Sequence, residues 1–103
     1  MCIRDRIRAV DGGRDELAAI LAGMGDMPGC LGYVVAGDNS DADALWVTEV
    51  WETVEAHAAS LGLPAVQAAI ERGQPLIASF EQRIETSPIG GIGLPKHGSG
   101  ALG

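Results

Sequence analysis

Hydrophobic and polar positions divide the chain into alternating strand-like and helix-like stretches, and the densest of these is Leu45–Leu61, LWVTEVWETVEAHAASL. Leu45, Trp46, Val47, Thr48, Val50 and Trp51 are aliphatic, aromatic or β-branched, the side chains that a pleated and partly buried surface accepts best. Thr53 suits a helix N-cap, although the third residue on is Ala56 rather than the Glu or Gln of a capping box. Val54, Ala58 and Leu61 then recur at helical spacing and predict an inward stripe, with His57 on the same face.

The flanking pattern supplies the remaining elements. Ile7–Val10 reads as the end of a first strand, and Asp11-Gly12-Gly13 as a turn. Leu17, Ile20, Leu21 and Met24 fall on one helical face, Asp15 and Glu16 suit its positive N-terminal end, and Gly25 suits its stop. After the turn Met27-Pro28-Gly29, a second strand covers Cys30–Ala36 and a third Ala44–Glu52. The polar loop GDNSDAD between them predicts a hairpin. Gly62 ends the first helical segment and Pro64 opens another, with Val66, Ala69, Ile70 and Gly73 sharing its face. Pro75 breaks that segment; Leu76, Ile77 and Phe80 read as one further turn, and Glu81–Thr86 as the last strand.

The order strand, helix, strand, strand, helix, strand is the split βαβ arrangement, an α+β, ferredoxin-like (βαββαβ) antiparallel sheet with helices on one face. If Trp51 points to the helical side, strand alternation sends Trp46 and Val50 to the other. Apolar residues on both faces predict a partner for the uncovered one, and a C2 homodimer is the commonest solution.

Length and composition agree with this and narrow the partners. The 103 residues suit one small domain, and 47% hydrophobic against 20% charged residues argues against disorder. A net charge of −7 repels phosphate backbones, so nucleic acid is not an expected partner. No apolar run approaches the ~18 residues of a membrane span and no secretory signal is visible, so the expected location is cytoplasmic. The opening MCIRDR matches the translation of a sequencing-library adapter. Residues 1–6 are therefore set apart from functional reading, 7–87 form the expected domain, and 88–103 a flexible Gly-rich tail. Of the two cysteines only Cys30 lies outside that opening, and it suits a small core residue.

Trp51 with His57 is the strongest chemical pair. An indole offers a flat apolar wall and an N–H donor, and an imidazole takes up a proton near neutral pH. Core packing for Trp51 and a helix-surface position for His57 are the plainer alternatives. Glu49 shares the strand face of Trp51 and could orient His57 or a ligand hydroxyl, or be a rim carboxylate. Tyr33 is expected as a packed strand residue whose hydroxyl could line a cavity. Asp38, Asp41 and Asp43 do not make a calcium loop, because Ala44 and Val50 occupy its glycine and final glutamate positions; a solvated acidic loop is expected. Gly90, Gly91 and Gly93 precede no helix and so make no phosphate fingerprint, and His97 falls in the tail.

The segments MPGCLGYVVAGD, ALWVTEVWETVEAHAASLGLPAVQAAI and PLIASFEQRIETSPIGG resemble the antibiotic biosynthesis monooxygenase domain, in particular its quinol monooxygenase branch. The resemblance spans about Ile7 to Leu94 and implies a subunit of the dimeric α/β-barrel superfamily. It also implies oxidation of quinols or phenols by O2 with no metal, flavin or haem cofactor, in a cleft between sheet and helices. On this resemblance Trp51 lines the cleft and His57 stands where the family often carries His or Tyr. These two are the expected catalytic pair, and Glu49, Tyr33 and Leu61 the expected substrate-binding residues. The expected partners are a small aromatic or quinol substrate and a second copy of the chain. A non-catalytic dimeric barrel binding a small aromatic ligand is the alternative. Haem degradation is disfavoured, because Leu61 stands where haem-degrading relatives carry the ligating histidine.

Overall fold

A computed structural model of the chain describes residues 1–94. Four strands, β1 (Cys2–Ala9), β2 (Cys30–Gly37), β3 (Ala44–Trp51) and β4 (Ile77–Thr86), form one antiparallel sheet in the order β2-β3-β1-β4. Helix α1 (Arg14–Ala22) joins β1 to β2, while α2 (Val54–Ser60), α3 (Pro64–Gly73) and a 3-10 turn (Gln74–Leu76) join β3 to β4. The fold is ferredoxin-like, as the element order predicts.

The opening residues lie in the centre of the sheet. In β1, Ile3, Asp5, Ile7 and Ala9 are buried on the helical side, while Arg4, Arg6 and Arg8 alternate to the other. An antiparallel ladder is made of backbone groups, so the alternating run CIRDRIRA completes it between β3 and β4. The core then gathers Ile7, Ala9, Leu17, Leu45 and Val47, with Leu21, Tyr33, Leu76 and Ile77 packed against it.

Local signals behave as expected at several junctions. Thr53 has an extended backbone, and its hydroxyl accepts the Ala56 N–H at 3.0 Å, the side-chain half of a cap without the capping box. Pro64 is the first residue of α3, whose Val66, Ala69 and Gly73 are buried. Gly29 closes the Met27–Cys30 turn with φ of 82°, and the Cys30 N–H donates to the Met27 carbonyl at 3.0 Å.

Three expectations change. Helix α1 stops at Gly23, whose N–H reaches the Ala19 and Ile20 carbonyls, so Met24 and Gly25 belong to the following loop. The stripe Val54–Ala58–Leu61 does not face inward: Val54 is 59% exposed and Leu61 50%, while Ser60 is buried and Ala56 and His57 are half-buried. Helix α2 is too short for a stripe to set its rotation. Its rotation follows instead from packing of Ala56 beneath Gly29, where an added Cβ would lie 2.6 Å from the Ala56 Cβ. Strand β4 begins at Ile77, so of the three residues expected as a helical turn Leu76 ends the 3-10 turn while Ile77 and Phe80 belong to the strand. Two register shifts against β1 disguise its alternation in sequence.

On the uncovered face, Arg4 and Arg6 lie over the Trp46 ring at 5.2 and 5.8 Å, and the Trp46 indole donates to Asp38 at 3.0 Å. Asp41 pairs with Arg8 at 2.6 Å, and Glu81 with Arg8 and Arg6 at 3.0 and 3.1 Å. The acidic loop is thus tied to the sheet by arginines, not simply solvated. Cys30 is half-buried rather than in the core, and burial pushes its thiol pKa up. Residues 87–94 have no regular secondary structure, and His97 lies outside the described residues.

Candidate functional site

Between the sheet and the helices lies a cavity of about 390 Å³. One part is polar, walled by Asp5, Tyr33, Glu49, His57 and Arg83. Another is apolar, walled by Ile7, Val47, Leu61, Val66, Ile70 and Phe80. Each strand contributes one polar group. Glu49 of β3 stands opposite Tyr33 of β2, and Asp5 of β1 opposite Arg83 of β4. Strand alternation sends all four to the helical side, and α2 brings His57 to meet them.

Trp51 points inward as expected and is 2% exposed, but it does not line this cavity. Its ring meets His57 edge to face, with centroids 5.4 Å apart and planes at 68°. Its indole N–H donates to Glu49 at 3.0 Å. The tryptophan therefore backs two cavity groups instead of walling the space, because it ends its strand directly beneath α2. Leu61 reaches the cavity although it is half exposed.

Burial is the main influence on the two other titrating groups. It raises the Asp5 carboxyl, against the opposing pull of Arg83, 3.5 Å away, and of His57. It pushes the Tyr33 hydroxyl far above the ordinary tyrosine range, helped by the negative charge of Glu49. Among the described residues, neither ring nitrogen of His57 has a hydrogen-bond partner, and no cluster of His, Cys, Asp and Glu could hold a metal. Ser60 anchors the helix end beside His57, its hydroxyl donating to the His57 carbonyl at 2.6 Å.

Asp5, Arg83, Ser60 and Phe80 were not singled out by sequence. Asp5 carries a readable signal, a carboxylate alternating with Ile3 and Ile7, but it stands within the segment set apart as adapter. Arg83 has none, since its place depends on the pairing of the first and last strands.

A two-layer α+β domain with a mixed polar and apolar chamber under its helices is a ferredoxin-like scaffold with a cavity of small-ligand size. The chain belongs to the antibiotic biosynthesis monooxygenase family, whose model matches residues 6–72. It is 53% identical to a protein from Chloroflexus aurantiacus described as a putative antibiotic biosynthesis monooxygenase, over 87% of this chain and 93% of that one, with a TM-score of 0.86. A Deinococcus radiodurans protein of the same description is 25% identical over 85% of this chain and 94% of its own, with a TM-score of 0.70. A Bacteroides thetaiotaomicron protein of unknown function, described as a possible oxidoreductase, shares the fold at 16% identity, with 82% and 95% of the two chains covered and a TM-score of 0.72. No protein of curated function matches. Among the described residues, no helix is long and apolar enough to cross a membrane.

Proposed function

We propose that the chain oxidises a quinol or similarly electron-rich phenol with O2, without metal, flavin or haem, and that His57 is the general base. The supporting observation is the imidazole of His57 on the wall of a cavity of about 390 Å³, within the ~300–1,000 Å³ range of small-ligand sites. A neutral hydroquinone releases an electron poorly and its phenolate readily. Proton transfer from the phenol to His57 therefore precedes electron transfer to O2. One oxygen atom then enters a ring carbon as hydroxyl and the other leaves as water, the two remaining electrons coming from oxidation of the quinol to the quinone. Apolar walls keep bulk water from the intermediate. Trp51 acts as a positioning residue, holding the imidazole edge and the Glu49 carboxylate.

A homodimer belongs to the same proposal. No element of the described chain covers the outer face of the sheet, where Val34 of β2 is 58% and Ile84 of β4 37% exposed. Small-angle scattering at a monomer mass would remove this part.

Oxygen uptake with a panel of hydroquinones tests the chemistry. General-base assistance contributes ~10²–10⁴-fold, so His57→Ala is expected to lose at least about tenfold in rate. Equal turnover by both proteins removes His57 from the mechanism. Hydroquinone binding with no uptake by either protein favours the binding-only barrel. Haem titration is expected to give no Soret shift.

A further inference from the structure

A second hollow adjoins the first. An open groove of about 520 Å³ runs from the end of α1 along residues 23–29 to the start of β2, past Ala22, Pro28 and Leu31. It shares four side chains with the His57 cavity: Leu21, Met24, Met27 and Tyr33 line both. The two spaces are therefore separated by a single layer of side chains, two of them methionines.

Methionine has three rotatable bonds and an unbranched thioether, so it fills or vacates a gap at small cost. Met24 and Met27 are both half-buried and lie in a segment without regular structure that contains Gly25 and Gly29 at φ of 79° and 82°. Moving them requires no shift of a helix or strand. The groove walls are mostly apolar. Among the described residues their only charged side chain is Asp26, which is exposed, and no cation lines the groove. An anionic group would find no partner there, and the net charge of −7 opposes it further.

We propose that this groove seats an uncharged alkyl substituent of the ring bound in the inner cavity, the chain passing between Met24 and Met27. The substrate class is thereby narrowed to alkyl-substituted quinols or phenols. The inference rests on the inner cavity being a phenol site, and its test separates the two ideas.

Calorimetric titration of the whole chain with redox-stable phenols, from phenol through 4-ethyl and 4-butyl to 4-hexylphenol, reads binding without turnover. A fully buried methylene is worth about fourfold in affinity, so a partly open groove should give about twofold per carbon. Ala22→Trp fills the groove from an exposed position at the end of α1. It is expected to reduce the ratio of hexylphenol to phenol affinity by at least about fivefold. Hexylphenol binding no tighter than phenol overturns the proposal, as does a ratio unchanged in Ala22→Trp. Phenol binding with no dependence on chain length leaves the phenol site standing and removes the groove; no binding by any member of the series removes both.

Discussion

The Trp51 indole touches two cavity groups at once, meeting the His57 ring at 5.4 Å between centroids and donating its N–H to Glu49 at 3.0 Å. Its two contacts can be separated by substitution. Trp51→Phe keeps an aromatic face toward His57 but leaves Glu49 without its donor, a loss of about 1 kcal/mol. Trp51→Ala empties a buried aromatic site and should cost about 3–5 kcal/mol. Urea unfolding of both variants measures the difference; similar losses would show that the ring is not well packed.

Tyr33 is the only tyrosine in the chain, so tyrosinate absorbance reports on it alone. Burial first, and then the charge of Glu49, hold its pKa above the ordinary value of about 10. A raised folded-state pKa means that this contribution to stability is present below about pH 10 and is lost as pH rises beyond it. Native protein should therefore resist ionisation past the range of free tyrosine. Glu49→Gln should move the titration down, though only part of the way, because burial is the larger influence. An upward move would contradict the assignment.

Asp38 gives the opposite sign. The Ser40 N–H, the Trp46 indole and the Ser40 hydroxyl, in that order, lower its pKa to about 2. Its contribution is present above the ordinary aspartate value of about 3.9 and is lost as pH falls toward about 2. Stability should fall across that window, and Asp38→Asn should flatten this part of the acid limb. Tryptophan fluorescence during acid unfolding follows it directly, since Trp46 is a partner.

Thr53 caps the helix that carries His57. Thr53→Ala removes the acceptor for the Ala56 N–H and should cost about 1 kcal/mol, whereas Thr53→Ser should keep most of it. Chemical denaturation distinguishes the two, and an equal loss in both would point to the methyl group instead of the hydroxyl.

Gly25 and Gly29 share a positive φ but not a surrounding. An alanine at 25 meets open space and faces only the backbone cost, about 1–2 kcal/mol. An alanine at 29 adds a Cβ 2.6 Å from the Ala56 Cβ, so α2 or the loop must shift. Gly29→Ala should therefore be the more destabilising and should also lower activity through His57. Matching thermal midpoints for the two variants would refute the close approach.

Local chemistry was legible in the sequence where one residue decides the outcome. Thr53 caps, Pro64 starts α3, and alternation separates Trp51 from Trp46. Patterns that need several turns or a distant partner were not legible. Helix α2 has seven residues, so Val54 and Leu61 could suggest a stripe that packing beneath Gly29 overrides. Register shifts against β1 hid the first half of β4. The candidate site was legible through His57, Glu49, Tyr33 and Leu61, which do line the cavity. Asp5 and Arg83 join it through a pairing between opposite ends of the domain.

That pairing also sets when the sheet can be completed. β1 occupies a central place in the sheet, yet β4, its neighbour on one side, is the last strand of the described residues. Until the chain has been made as far as residue 86, β1 keeps an unpaired row of backbone groups on that side, where another strand could add. A pairing between opposite ends of the domain is a contact of high sequence separation, and such contacts slow folding relative to local ones.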